Sequence, residues 1–421
     1  MMTEREFRLK ERELLKRAQG GEAAAYRALG DLYLGGLAGN EKNEMKAYPY
    51  WLKAADSGDK IAAGNVGIML FNGKCGKDRI VQAFPYLKVA GDYSDKLGRS
   101  TKPLVMLGLA YSNGIGCEKN KDKAKSCFLR AALKNDAIAQ YNLALFLGTE
   151  GSEIGDKEYL RWLCCSHING YSRATRLLEL SLNAPKPKFT RKEVEKTIID
   201  ILNYGIFRFS GRGANKQEFE ELLADNKKRA DNGDVLSMRV VGELLGSGYG
   251  LNGEGSDRQQ AVLYYKKAAD QGDVVSAREM GSYYISSDEN KAFKYIFQAA
   301  AGKEPRALYF LGILYRVGIG CNANPQKAVQ ILRPYALMNH GDSQYQLYKA
   351  LMDIVKKSRL SSSESIETTL QAMHWLACAY VNEVEDAIQE AKEVEIENDS
   401  VFQKNIRLIK KYGVNRSKYP K

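Results

Sequence analysis

The chain has 421 residues, of which 44% are apolar and 27% are charged, and this balance excludes a wholly disordered protein. The formal net charge is +12, so an anionic partner is a first expectation. Only three histidines are present, which leaves few candidates for acid–base catalysis or metal binding. The composition therefore favours a folded binding protein over an enzyme.

Two short sequence phrases alternate along most of the chain. The first places Leu-Gly three residues before a tyrosine, as in Ala25–Tyr33 and Ala307–Tyr315. The second joins Lys-Ala or Gln-Ala to an aromatic residue and Ala-Ala, often with Gly-Asp after it, as in Lys46–Asp59 and Gln260–Asp273. Apolar residues fall at i, i+3, i+4 and i+7 in both phrases, which predicts a helix for each, with a turn between them.

The glycine of the first phrase marks a repeat with nine copies. Its position falls at residues 30, 67, 108, 144, 178, 242, 281, 312 and 348, so the period is 31 to 41 residues with one expanded unit of 64. This period is typical of repeats built from helix pairs. The glycine and the paired alanines are small, which predicts that two helices approach closely there. The copies at 144, 178 and 348 lack the glycine.

Taken together, these phrases resemble the Sel1-like repeat, a relative of the tetratricopeptide repeat. The resemblance rests on the turns Gly114–Cys117 and Gly318–Cys321 and on the endings Lys53–Ala55 and Lys267–Ala269, and it covers roughly residues 20–381. It implies an all-α, right-handed superhelical α-solenoid of about nine helix-turn-helix repeats, whose stacked neighbours share an apolar core.

The remaining segments are interpreted around this array. The expanded unit contains a Pro- and Lys-containing loop at Asn183–Lys192 and an extra helix from Glu193 to about Phe207, and the ninth unit has a polar loop at Ser358–Glu367. The predicted organisation is a capping helix at 1–20, repeats one to four at 21–174, a degenerate, expanded repeat with the basic loop at 175–234, repeats six to nine at 235–381, and capping helices with a basic tail at 382–421.

No residue set predicts catalysis, a cofactor or a metal ion. Gly248–Gly253 fits the G-x-G-x-x-G pattern of dinucleotide sites, but a helix rather than a strand is expected before it, which favours an ordinary repeat turn. Cys164, Cys165 and His167 are the only local cluster of reactive side chains, and their place in a second helix favours burial. A Cys–His pair assembled in space stays open as an alternative. The prediction is a protein that is not an enzyme and has no small-molecule substrate.

The cysteines and the charge pattern predict a compartment. Seven cysteines without a Cys-x-x-Cys motif predict free thiols rather than disulfides or a zinc knuckle. Charges interrupt the first twenty residues and no apolar run reaches eighteen, so neither a signal peptide nor a membrane span is expected. Free thiols are kept in reducing compartments, which predicts a cytoplasmic protein.

The excess of positive charge is confined to two segments. Seven Lys and Arg residues and no acid follow Asp399, and four more lie in the loop at Asn183–Lys192, so the repeat body is close to neutral. A nucleic-acid groove would need basic side chains along the whole array. Nucleic acid is therefore the less favoured partner.

In tetratricopeptide-type arrays the first helices line the concave face, and the resemblance implies which side chains face that groove. Arg and Tyr are common at interface hot spots, which predicts binding of an acidic, extended or helical protein segment. The alternative is a solvated surface on which these side chains cover neighbouring helices. The implied partner-binding residues are Arg27, Asp31, Tyr141, Arg239, Glu243, Arg278, Tyr309, Arg316, Tyr345 and Lys349.

The leading functional prediction is a non-catalytic scaffold or adaptor that binds a protein partner on the concave surface. The resemblance also implies an alternative of a different class, because some Sel1-like proteins are immunity proteins that neutralise a cognate bacterial toxin. A nucleic-acid binder is the third. The fold alone does not decide among them.

Overall fold

A computed structural model describes residues 4–35, 43–97, 100–149, 153–204, 216–248, 254–357 and 360–415. These residues form helices joined by turns and contain no β-strand, so the all-α prediction is confirmed. The chain separates into two compact units, Met1–Gly151 and Ser152–Lys421. The boundary between these two units, after residue 151, falls inside the predicted group of repeats one to four.

The described part of the first unit begins with the predicted capping helix. Phe7, Leu14 and Ala18 of this helix pack in one apolar cluster with Ala25 and Leu29 of the next, which covers the end of the array. A 3-10 helix at Lys77–Gln82 precedes the fifth α-helix. The α-helices are α1 (Glu4–Gln19), α2 (Ala23–Gly35), α3 (Glu44–Asp56), α4 (Lys60–Phe71), α5 (Ala83–Leu97), α6 (Lys102–Asn113), α7 (Lys121–Leu133) and α8 (Ala137–Gly148).

The described part of the second unit has fourteen α-helices. They are α9 (Glu153–Ile168), α10 (Ser172–Leu182), α11 (Arg191–Tyr204), α12 (Lys216–Asp231), α13 (Val235–Ser247), α14 (Arg258–Asp270), α15 (Val274–Tyr284), α16 (Glu289–Ala301), α17 (Pro305–Val317), α18 (Pro325–Leu337), α19 (Gly341–Lys357), α20 (Ser362–Val381), α21 (Glu385–Glu393) and α22 (Ser400–Tyr412). The extra helix predicted for the expanded repeat is α11.

One prediction at the ninth repeat is wrong. The polar segment expected to be a loop is largely helical, because α20 already begins at Ser362. Ser361 and Glu364 form a capping box in which each side chain accepts a hydrogen bond from the backbone N–H of the other, and this pair stabilises the helix start. Ser358 and Arg359 lie outside the described residues.

In seven of the nine predicted repeats the first helix packs against the second helix that follows it, and the pairs are α2–α3, α4–α5, α6–α7, α13–α14, α15–α16, α17–α18 and α19–α20. A single apolar core extends from α14 to α22 and includes Phe402, Ile406 and Ile409 of the last helix. Within the described chain, every helix is too short or too polar to span a bilayer.

The central glycine of a first helix lies against a large side chain of the second helix in the same repeat. A Cβ atom at Gly108 would lie 2.8 Å from the Phe128 ring, and one at Gly312 would lie 2.6 Å from Leu332. Both distances are too short for carbon atoms that are not bonded, so only glycine fits. The same arrangement recurs in the pairs Gly30–Trp51, Gly67–Leu87, Gly242–Tyr265 and Gly281–Ile296.

The acid that ends the second phrase is the N-cap of the next first helix. Asp59 accepts hydrogen bonds from the backbone N–H groups of Ile61 and Ala62, at 3.0 and 2.8 Å. Such caps satisfy backbone donors that have no partner in the helix. The other caps of this kind are Asp136 on α8, Asp234 on α13, Asp273 on α15 and Glu304 on α17.

The Gly-x-Gly turns need glycine for a different reason. Gly116 and Gly320 have φ values of 69° and 64°. A Cβ at Gly116 would overlap the carbonyl oxygen of Val81, and one at Gly320 would overlap that of Glu289.

Of the segment Gly248–Gly253, residues 249–253 lie outside the described residues, and the element before it is a helix, α13.

We expect Gly242→Ala to destabilise the second unit, because its new Cβ would lie 2.8 Å from the Tyr265 ring. Overpacking of this kind costs about 1–3 kcal/mol of unfolding free energy. Gly246→Ala is the matched control one turn later in α13, since its Cβ would have only ordinary contacts at 3.7 and 3.8 Å. The control should be neutral or more stable by about 0.5–1 kcal/mol. Urea unfolding of both variants checks this, and equal effects would contradict the close-packing argument.

Candidate functional site

The groove residue two positions before the Leu-Gly leucine contacts the residue that caps the next first helix. We call each such contact an inter-repeat pair. In the first unit Arg27 on α2 lies 3.2 Å from the carboxylate of Asp59, the N-cap of α4. Both side chains are largely buried, at 29% and 10% exposure. The arginine therefore holds two consecutive repeats together.

The inter-repeat pairs of the second unit are fully buried. Arg239 Nη1 donates to Asp273 Oδ2 at 3.1 Å. The Nε atom of the same arginine lies 3.8 Å from the carboxylate of Glu243. Arg278 is 3.4 Å from Glu304 and also donates to Glu279 at 2.5 Å. Burial raises the pKa of Glu304, and Arg278 offsets part of this effect.

The expectation that Arg239, Glu243 and Arg278 face an open groove is wrong for this structure. Their exposures are 2%, 6% and 3%, so none of the three presents its charge to solvent. The reason is that each side chain is used in ion pairs, and a buried charge must be paired to be tolerated.

In the eighth repeat an aromatic pair replaces the ion pair. Tyr309 occupies the arginine position, and its ring meets the ring of His340 edge-on with centroids 5.6 Å apart. His340 occupies the position of the capping acid, immediately before α19, and accepts a hydrogen bond from the Ser343 N–H through Nδ1. Burial raises the pKa of Tyr309, so its hydroxyl stays neutral.

The groove residues of α19 converge on one glutamate of α21. Tyr345 and Tyr348 donate to Glu390 at 3.0 and 2.9 Å, and Lys349 Nζ lies 3.0 Å from the same carboxylate. Burial opposes ionisation of Glu390, but these hydrogen bonds outweigh it and lower its pKa. The capping helix α21 is thus attached to the ninth repeat through these groups.

The other three predicted groove residues are half-buried or paired. Arg316 lies 3.4 Å from Asp353. Asp31 accepts a hydrogen bond from the indole N–H of Trp51 at 3.0 Å. Burial raises the pKa of Asp31, and the bond to Trp51 offsets only part of this effect. Tyr141 on α8 is half-buried.

A cleft of about 390 Å³ opens where three segments of the second unit meet. They are the C-terminal part of α11, the turn between α18 and α19, and the turn between α20 and α21. We call it the acidic cleft, because the described residues that line it include four carboxylates and neither lysine nor arginine. Its lining residues are Ile199, Asn203, Asn339, His340, Gly341, Asp342, Asn382, Glu383, Val384, Glu385 and Asp386.

Sequence reasoning missed the acidic cleft because its walls are far apart in the chain. Asn203 and His340 are 137 residues apart and are joined by a hydrogen bond of 2.8 Å. A local signal was available in the run Glu383–Asp386, where three acids surround a helix start. Acids at a helix start also have a structural explanation in the helix dipole, so the run alone does not predict a site.

The reactive side chains singled out in the sequence lie in the core. Cys164 and Cys165 are fully buried in α9, and burial raises the pKa of Cys165 to about 12, which keeps the thiol protonated. His167 contacts the Thr175 hydroxyl at 2.8 Å. The part of the chain that the structure describes contains no group of His, Cys, Asp and Glu side chains arranged for a metal ion.

Comparison with known families identifies the repeat. The Sel1 repeat model matches six segments: residues 23–59, 104–136, 137–158, 238–273, 276–303 and 305–340. The second, fifth and ninth predicted units lie outside these segments. The second unit nevertheless has the same packing, since Gly67 lies against Leu87 as in the matched repeats.

Curated relatives share part of this chain. The Sel1-repeat-containing protein YjcO of Escherichia coli strain K12 is 27% identical over 135 residues, which are 31% of this chain and 58% of the relative. YjcO of Shigella flexneri matches to the same extent. The chain thus spans a little over half the length of these relatives.

Two solved structures also match this chain over most of its length. One is c5321, a protective antigen of uropathogenic Escherichia coli strains with an SLR fold, at 20% identity and a TM-score of 0.39 over 97% of this chain and 95% of that chain. The other is a Sel1 repeat protein from Oxalobacter formigenes, at 21% identity and a TM-score of 0.30 over 77% and 86%.

We expect Arg239→Met to destabilise the second unit strongly, because it leaves Asp273 buried without its arginine. Loss of one partner of a buried ion pair costs about 3–5 kcal/mol. Arg27→Met removes the equivalent, more exposed arginine and should cost about 0.2–1 kcal/mol. Urea unfolding followed by circular dichroism gives both values, and a small effect of Arg239→Met would contradict the inter-repeat pair.

Proposed function

We infer, because this chain is a Sel1-repeat protein, that it is a non-catalytic scaffold whose acidic cleft binds a segment of a protein partner. Sel1 repeats generally mediate protein–protein interactions and typically form a scaffold without catalytic activity. The observation that carries the proposal is the acidic cleft, a concave site at the ends of two repeats whose polar groups are not all used in repeat packing.

The lining of the acidic cleft suits a basic segment. Asp342, Glu385 and Asp386 can accept hydrogen bonds from a guanidinium or ammonium group, and such charge-assisted bonds are the strong ones. Ile199 and Val384 offer apolar surface to the aliphatic part of an arginine or lysine side chain. The complementary ligand is therefore an arginine- or lysine-containing segment.

The predicted stripe of groove arginines does not support binding of an acidic segment. Arg239 and Arg278 are buried in ion pairs, and Arg316 is paired with Asp353. An acidic peptide would have to break these pairs before it could bind. Nor do phosphate groups suit a cleft lined by four carboxylates, so the proposal does not extend to nucleic acid.

A toxin with a basic segment would be one partner of the proposed kind. In that case the chain would act as an inhibitor rather than an adaptor, and a tight one-to-one complex would distinguish the two.

We also propose that it works in a reducing compartment, because its seven cysteines are all free.

The test measures binding of a twelve-residue peptide of alternating arginine and serine by calorimetry. We expect Glu383→Gln combined with Glu385→Gln to weaken binding about tenfold, since two carboxylates of the cleft are neutralised. Added salt should weaken binding to the native protein as well, because the interaction is electrostatic.

The matched control is Glu393→Gln combined with Glu395→Gln. It removes the same charge from the exposed end of α21 without touching the cleft, and Glu395 has the same left-handed backbone as Glu383, with φ values of 55° and 58°. Equal loss of affinity in both double variants would show only a general electrostatic effect and refute the cleft as the site. A peptide with glutamate in place of arginine should not bind.

A further inference from the structure

The helix α11 does not pack like the other helices of the array. It contacts α9 and, far along the chain, α17, the first helix of the eighth repeat. Its apolar side chains Val194, Ile198, Ile201 and Leu202 are buried. The extra helix of the expanded repeat is therefore fixed against the C-terminal repeats.

The C-terminal end of α11 fixes the protonation state of His340. Asn203 Oδ1 lies 2.8 Å from Nε2, and an amide oxygen can only accept, so Nε2 carries the proton. Nδ1 then keeps its lone pair and accepts from the Ser343 hydroxyl at 2.6 Å and the Ser343 N–H at 3.3 Å. His340, only 3% exposed, is thus neutral and caps α19.

The groups that face His340 come from every element packed around it. Asp342 follows it on α19, and Tyr309 on α17 presents its ring edge. Asn203 belongs to α11. On the other side of the cleft the turn before α21 adds the carboxylate of Glu383, and the first turn of α21 adds those of Glu385 and Asp386. Among the residues that the structure describes, neither lysine nor arginine lines the cleft beside the imidazole.

We propose that α11 is a structural wall of the acidic cleft and that Asn203, acting through His340, makes binding of a basic side chain depend on pH. This inference rests on the proposed function, since it concerns the same cleft. Asn203 is a positioning residue: it holds the imidazole in the tautomer that caps α19, and α19 in turn carries Asp342 into the cleft.

Protonation of His340 has two effects that act in the same direction. Protonated Nδ1 can no longer accept from Ser343, so the first turn of α19 loses its cap. The new positive charge also opposes a basic ligand. Burial lowers the pKa of His340 below the ordinary value of about 6.5, with Asp342 offsetting part of this effect, so the neutral form persists below pH 6.5 and is lost only as the pH falls further.

The experiment measures the affinity of the arginine–serine peptide for the full chain between pH 8 and pH 5. We expect the native protein to keep its affinity down to about pH 6.5 and to lose about tenfold between pH 6.5 and pH 5. His340→Asn, which retains a capping side chain, should have a smaller loss over this range. His167→Asn is the matched control, because His167 is also a largely buried histidine but does not line the cleft, and its profile should follow the native one.

A second variant tests the positioning role directly. Asn203→Asp keeps an acceptor for Nε2–H and adds a negative charge, so it should raise the pKa of His340 and move the loss of affinity to higher pH. Nitrogen NMR of the imidazole measures the tautomer and this pKa without any peptide. If Asn203 were merely structural, its replacement by aspartate would not raise the pKa of His340.

The outcomes separate the two proposals. If no peptide binds at pH 8, the proposed function fails, while the NMR titration still tests the role of Asn203. If the peptide binds with the same pH profile in native protein and His340→Asn, the inference is overturned and the proposed function stands. A proton on Nδ1, or an unchanged pKa in Asn203→Asp, overturns it as well.

Discussion

The structure depends on the close approach of two helices at a position without a Cβ atom. At Gly108 and Gly312 the side chain of the second helix fills the volume that the Cβ of any other residue would take. This contact sets the distance within the six helix pairs that have the glycine. The contact recurs at Gly67, in a unit that the family model does not match, so packing conserves the repeat where sequence similarity is lost.

Features that depend on neighbouring residues could be predicted from the sequence. The glycine positions and the extra helix of the expanded repeat follow from local patterns, and the structure confirms the helices. The capping role of acids such as Asp59 was not predicted. The solvent exposure of the groove side chains could not be predicted. The positions of Arg239 and Arg278 were correctly placed on the first helices, but their burial depends on acids in the next repeat. The acidic cleft was missed because α11 meets residues more than a hundred positions away.

The use of the groove residues in repeat packing explains where a binding surface is left. In repeats six and seven the arginines join each repeat to the next, and in the ninth the tyrosines and Lys349 join it to α21. In the eighth repeat His340 takes the place of the capping acid, and its turn and the turn after α20 line the acidic cleft. A protein with a net charge of +12 therefore has a local site of the opposite sign.

The inter-repeat pairs also bear on how the array unfolds. Asp273 and Glu304 each begin one helix and at the same time neutralise an arginine of the repeat before it. Melting of either repeat would thus remove the cap of one helix and leave an arginine of the neighbouring repeat buried without its acidic partner. Repeats joined only by apolar contacts can fray one by one from an end. Coupling through shared acids makes such partly melted states costly, so adjacent repeats of the second unit should unfold together in a single cooperative step.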